Sequence, residues 1–298
     1  MIFFSLVDMA KAYTGQSGTF VIHLGFSVFI LSQAAAIAQV YTWIYRRLVE
    51  EELKRKHSFQ QLGKVFYPHQ LQMMAKGTQL EHTMPTGNAQ ACAISFDIIG
   101  STKIKHADKF HIIKEFFSKC YEIMMEGYDP QKLTANAYRV KEMGDGFLCS
   151  IGYPFQVPIE DKNIATFSVE LAYRFAELFE EHRKKLDYDR PIHFGIGLAM
   201  GDIYAFYPET GTKEYDVHGK AVILATRYEQ MRKFLVKIKK DASFIIIQED
   251  VYLSLPADIR RQFECLNLEE HMIAVRDDPD ADRIYVSYLI SSQSTNAA

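Results

Sequence analysis

The stretch from Tyr138 to Cys149, Tyr-Arg-Val-Lys-Glu-Met-Gly-Asp-Gly-Phe-Leu-Cys, constrains this chain more than any other. Two short strand-forming runs flank a Gly-Asp-Gly turn. Glycine permits backbone angles that other residues resist, so the segment predicts a β-hairpin with an acidic side chain at its tip. Upstream, Ala93 to Phe96 reads as a buried strand that runs into Asp97 and then a small-residue turn, Ile98 to Thr102. Pairing these strands turns the carboxylates of Asp97 and Asp145 toward one site. Two hard oxygen ligands beside free backbone amides suit a magnesium ion that keeps waters and takes its other ligands from substrate phosphates. Taken alone, an Asp at a hairpin tip is a turn-former that bonds its own backbone; the second carboxylate is what points to a metal.

The rest of the chain sets bounds. A net charge of -3 over 298 residues leaves no basic footprint, which disfavours nucleic acid as a partner. Cys92, Cys120, Cys149 and Cys265 are far apart in sequence and have no Cys-x-x-Cys spacing, so neither a zinc site nor a disulfide framework is expected. Residues 1–10 are apolar but too short to cross a bilayer. From Ala12 to Tyr45 there is no Asp, Glu, Lys or Arg, and a membrane-spanning helix is expected over about 19–45. Arg46, Arg47 and Lys54 to Lys56 follow it, with Tyr41, Trp43 and Tyr45 at the interface, so the C-terminal side is expected to be cytoplasmic.

This divides the chain into a membrane segment (1–45), a helical linker (46–88), a catalytic domain (89–290) and a tail (291–298). Within the third part, Phe110, Ile113, Phe117, Cys120 and Met124 recur at helical spacing, as do Ile164, Phe167, Leu171, Phe175 and Leu178. Ile192 to Phe206 carries Gly195, Gly197 and Gly201, which predicts a long strand or hairpin approached closely by other backbone. A helix over 219–233, a buried strand at 244–247 and a last strand at 283–289 complete the reading. Strand, helix, two strands, helix, strand is the ferredoxin-like βαββαβ order, an α+β sandwich with helices on one sheet face.

Phe96-Asp97-Ile98-Ile99-Gly100-Ser101-Thr102, then Lys141-Glu142-Met143-Gly144-Asp145, then Tyr215 to Lys220 with Ala225-Thr226-Arg227, resemble the class III nucleotide cyclases in order and spacing over about residues 60–290. The segment around Leu24 to Ala34 is similar to the last span of seven-transmembrane receptors that carry intracellular signalling modules.

The first resemblance implies attack by a ribose 3′-hydroxyl on the α-phosphate of the same nucleotide, with loss of pyrophosphate. Asp97, Asp145 and the Ile98 carbonyl would hold two Mg2+ or Mn2+ ions, and amides of Ile99, Gly100, Ser101 and Thr102 would cradle phosphates. Lys141 and Asp216 would read adenine: a donor faces N1 and an acceptor faces the amino group, whereas guanine presents the reverse pattern. That implies ATP as substrate and an adenylate cyclase, with a guanylate cyclase or a catalytically silent module as alternatives. Arg227 would meet charge on the α-phosphate. Arg276, or else Lys213, would meet the triphosphate. Two departures stand out: Ile223 replaces the family asparagine four residues before Arg227, and Asp277 replaces the usual glycine. In this family the metal residues and the base-plus-arginine residues come from different protomers, which implies a symmetric homodimer.

Overall fold

A computed structural model describes residues 2–15, 22–100, 109–159, 162–185 and 192–290. The chain divides into two compact units, Met1–Leu71 and Gln72–Ala298.

The first unit is helical. Helix α1 spans Ile2–Tyr13 and α2 spans Ile22–Leu62. With no proline and one glycine, α2 runs unbroken for 41 residues from the apolar stretch into the charged one. It is the one helix among the described residues that is long and apolar enough to cross a membrane. Its apolar side chains, among them Phe29, Leu31, Val40 and Trp43, face outward rather than into a core. Past the apolar stretch, Arg47 lies over the Trp43 ring and pairs with Glu51 at 3.3 Å. Helix α3 (Pro68–Ala75) follows in sequence.

The second unit is a mixed sheet with helices on both faces. In chain order it contains β1 (Gly87–Ile99), α4 (Lys109–Met125), β2 (Tyr138–Met143), β3 (Gly146–Ile151), α5 (Ile164–Arg183) and β4 (His193–Phe206). It continues with β5 (Asp216–Gly219), α6 (Lys220–Gln230), α7 (Arg232–Ile238), β6 (Ala242–Ile247), α8 (Glu249–Leu253), α9 (Ala257–Arg260), β7 (Glu264–Asn267) and β8 (Arg283–Ile290). Spatially the strands run β2-β3-β1-β4-β6-β8-β7, with β5 attached to β4. The first four, all antiparallel to their neighbours, make the ferredoxin-like βαββαβ core. β6 extends it in parallel with β4.

Strand alternation divides the residues between the two faces. Cys92, Ile94, Phe96 and Ile98 of β1 join Phe147, Cys149, Phe194 and Ile196 in one cluster with the apolar stripes of α4 and α5. Phe96 is its centre, with ring centroids 5.2 Å from Phe147 and from Phe116 and 5.4 Å from Phe194. Phe110 was expected in the α4 stripe but is 81% exposed; Ile113, Cys120 and Met124 are buried.

The opposite face carries α6, contrary to the expectation that helices occupy a single face. β4 presents Gly195, Gly197 and Ala199 there, and their small size lets the helix backbone rest on the strand backbone. A Cβ on Gly197 would collide with the Ala225 carbonyl oxygen and the Glu229 amide. The helix expected over 219–233 is two helices, α6 and α7, joined at Met231.

Candidate active site

Alternation along β1 sends Phe96 into the core and Asp97 to the α6 face. There Asp97 is flanked by two glycines, paired with Gly146 on β3 and Gly195 on β4. The turn from β2 to β3 is Gly144-Asp145, with Gly144 at φ +68°, so it takes the left-handed angle the sequence predicted. The Asp145 carbonyl accepts from the Ile98 amide at 3.3 Å, tying the turn to the end of β1. The Asp97 and Asp145 carboxyls are neighbours that interact directly. A Cβ on Gly146 would come within 2.9 Å of Asp97 Oδ1, so the glycine keeps the space beside that carboxylate clear.

The sequence reading missed two members of this site, Arg232 and Glu229. The Arg232 guanidinium donates to Asp97 Oδ2 through Nη2 and to Glu229 Oε1 through Nε. All three are largely buried, with Glu229 4% exposed. Gly195 makes room for them: a Cβ there would stand 2.5 Å from Arg232 Cδ. The i, i+3 spacing of Glu229 and Arg232 is a helical ion-pair signal, but nothing in the sequence tells which strand they face.

Burial pushes Asp97 up to about 6, against the attraction of Arg232, and the neighbouring Asp145 adds to the rise. Burial likewise raises Glu229 to about 7, again opposed by Arg232. Both groups therefore keep their protons to higher pH when folded than when unfolded. Their contribution favours the fold at acidic pH and is lost as pH rises from the ordinary carboxylate range, about 4 to 4.5, to about 7. Thermal stability should accordingly fall between pH 5 and pH 8, and Glu229→Gln should flatten that slope; an unchanged slope in melting curves would contradict this account.

Among the described residues no three His, Cys, Asp or Glu side chains converge as a metal-binding group. The pair Asp97 and Asp145 nevertheless fits a hard divalent cation. Two adjacent carboxylates, one of them destabilised as an anion by burial and by the other, lie beside a space that a Cβ would fill. Ile98 adjoins Asp97, and its amide is bonded to the Asp145 carbonyl.

At the end of β1, Ile99 is followed by Gly100 at φ +74°. Ser101 and Thr102 lie outside the described residues. Lys141 is exposed on β2, just past an irregularity where Arg139 pairs with Cys149 and Lys141 with Leu148. Asp216 opens β5; its Oδ1 accepts from the Val217 amide at 2.9 Å and its Oδ2 lies 3.0 Å from His218 Nε2. No hydrogen bond or ion pair joins Lys141 to Asp216 among the described residues. The Tyr138 ring of β2 does meet that of Tyr215, the residue before β5, with centroids 5.6 Å apart.

Arg227, on α6, pairs with Asp277 rather than with Asp97. Its Nε donates to Asp277 Oδ2 at 2.6 Å and its Nη1 to Gln230 Oε1 at 3.5 Å. Ile223, one turn earlier, is 48% exposed and supplies no polar group. Arg276 is exposed, with Nε 3.8 Å from Asp277 Oδ2. Lys213 is engaged elsewhere, donating to the Pro208 and Glu209 carbonyls at 2.7 and 3.0 Å and pairing with Glu81 at 3.5 Å. That network caps a loop and leaves Arg276 the better-exposed cation. Asp97 and Asp145 are thus brought together within one chain, while Arg227 and Arg276 gather at Asp277.

A family model described as the adenylate and guanylate cyclase catalytic domain matches residues 84–279. Among solved structures, the adenylyl cyclase CyaB from P. aeruginosa is 17% identical, with 70% of this chain and 98% of that one covered at a TM-score of 0.52. A bacterial light-regulated adenylyl cyclase is 15% identical, with 80% and 63% covered at 0.55. The guanylate cyclase domain of RhGC from Catenaria anguillulae, in complex with GTP, is 19% identical, with 67% and 96% covered at 0.47. At these identities the likeness to the two adenylyl cyclases is one of fold. A search of curated proteins returns no match.

Proposed function

Since the chain belongs to the adenylate and guanylate cyclase catalytic-domain family, we propose that it is an adenylate cyclase, active as a homodimer and anchored in a membrane by α2. The observation that carries the catalytic half of this reading is the juxtaposition of Asp97 on β1 with Asp145 in the β2–β3 turn, with glycine on either side of Asp97. Asp97, Asp145 and the Ile98 carbonyl would hold the two Mg2+ or Mn2+ ions. Such ions, when bound, neutralise phosphate charge and lower the pKa of an attacking hydroxyl.

The remaining work is positioning. Arg227, with a permanent charge and a planar fork of donors, would stabilise the α-phosphate as charge builds there. Arg276 would hold the outer phosphates, and the amides at Ile99 and Gly100, with Ser101 and Thr102 beyond them, would close around the phosphate chain. Lys141 and Asp216 would select adenine. Within one chain Arg227 pairs with Asp277 while Asp97 takes its cation from Arg232, and this separate pairing supports a site shared between two copies of the chain. For the anchor, support comes from the unburied apolar stretch of α2 and from the basic residues that follow it; these favour a cytoplasmic catalytic domain.

The test is product analysis. The full-length dimer supplied with ATP or GTP, and with Mg2+ or Mn2+, is expected to form 3′,5′-cyclic AMP and pyrophosphate in clear preference to cyclic GMP. Preferential cyclisation of GTP would assign the other nucleotide, and ATP binding without pyrophosphate release would favour a silent signalling module, for which Ile223 is the supporting observation. Lys141→Glu combined with Asp216→Cys should erode the preference for ATP about tenfold or more, as expected when a donor and an acceptor that match adenine are both removed.

A further inference from the structure

The two arginines read above as phosphate ligands converge on a carboxylate of their own chain. Arg227 Nε and Arg276 Nε approach the same oxygen, Oδ2 of Asp277, at 2.6 Å and 3.8 Å. Asp277 has φ +65°, in the left-handed region that glycine enters freely and other residues rarely do. The position thus favours a residue without a side chain, yet it carries an acid.

The fold has another means of fastening this loop. The neighbouring Asp278, 8% exposed, accepts from the hydroxyl of the fully buried Tyr228 at 2.8 Å, and Val275 is buried at 2% exposure. Those contacts hold the segment against α6 whether or not Asp277 keeps its carboxylate. The Asp277 side chain itself remains 44% exposed, so its pairing is open to competition from solution. To a guanidinium, a carboxylate oxygen and a non-bridging phosphate oxygen are equivalent acceptors.

We propose that Asp277 is an internal stand-in for a substrate phosphate: its carboxylate occupies the Arg227 and Arg276 guanidinium groups in the resting chain, and a nucleoside triphosphate must displace it to bind. The assignment rests on the function proposed above. It makes Asp277 a residue that sets nucleotide affinity without touching the metal pair.

The experiment measures binding of 3′-deoxy-ATP, which cannot cyclise, to the full-length dimer with Mn2+, together with turnover of ATP. Asp277→Gly and Asp277→Asn both suit a left-handed backbone, so the fold is retained. Each is expected to tighten 3′-deoxy-ATP binding about fivefold, the ceiling for a partly exposed ion pair, and to raise kcat/KM for ATP by a similar factor. The gain should vanish on an Arg227→Ala background, a dependence that a merely structural role would not produce. Unchanged or weaker binding in both variants overturns the proposal, since Asp277 would then be a bystander or would orient Arg227. If the unaltered dimer binds no 3′-deoxy-ATP, the proposed function fails and this inference with it; if it binds but Asp277→Asn brings no gain, only the inference fails.

Discussion

Replacing Asp97 with Asn is expected to lower nucleotide cyclisation about 1,000-fold, which corresponds to roughly 4 kcal/mol of lost transition-state stabilisation at about 1.4 kcal/mol per decade. Asn keeps the shape of the side chain and one acceptor oxygen, so Arg232 can still donate to it. What disappears is the anion, and a neutral amide is a poor ligand for a hard dication. The effect should appear in binding as well as in turnover: Mn2+ titrated into the nucleotide-free dimer and followed by electron paramagnetic resonance should show weaker uptake than in the unaltered protein. Asp145→Asn should behave alike, and the double variant should lose little more than either single one, because residues that act as a unit are not additive. Turnover within tenfold of the unaltered dimer, at equal melting temperature, would refute a role for this pair.

The pair could be found from sequence because two local rules meet there. An apolar strand that ends in an acid and a Gly-Asp-Gly hairpin tip are each common, but together they place two carboxylates at the same end of adjacent strands. The βαββαβ order was legible for a similar reason: the α4 and α5 stripes keep helical spacing, and the Ala93 to Phe96 run, the Gly-Asp-Gly hairpin and the glycine-bearing Ile192 to Phe206 stretch read as strands. Contacts made by α6 were not legible. Arg227 and Glu229 on α6, and Arg232 at the start of α7, look like a solvated helix surface when read by period alone. In the fold, Glu229 and Arg232 turn toward Asp97 and Arg227 turns to Asp277. Only the glycines of β4 hinted at this, as a site of close backbone approach, without saying which element approaches. β5 and β7, at four residues each, are too short to show a period of two.

Gly197→Ala should be among the most destabilising single substitutions in the second unit. The added methyl would overlap the Ala225 carbonyl and the Glu229 amide and lie 2.8 Å from Glu229 Cα, all of them backbone atoms of α6. No rotamer change can relieve a clash between backbone atoms and a Cβ, so the helix must lift away from β4 or the strand must bend. Overpacking of a buried contact costs about 1–3 kcal/mol where side chains can adjust. Here at least about 3 kcal/mol is expected, a fall in Tm of roughly 6–12 °C for a domain of this size. Gly211→Ala is the matched control: Gly211 has φ +82° but nothing within 4 Å of an added Cβ, so it reports backbone strain without a clash, and about 1–2 kcal/mol is expected. The two variants therefore separate the cost of a left-handed residue from the cost of displacing a helix. Lifting α6 would move Arg227, and with it Arg232 at the start of the adjoining α7, so any Gly197→Ala protein that still folds should lose most of its cyclase activity while Gly211→Ala keeps it. Equal melting temperatures for the two variants would mean that α6 does not rest on β4 as described, and the placement of both arginines would fall with it.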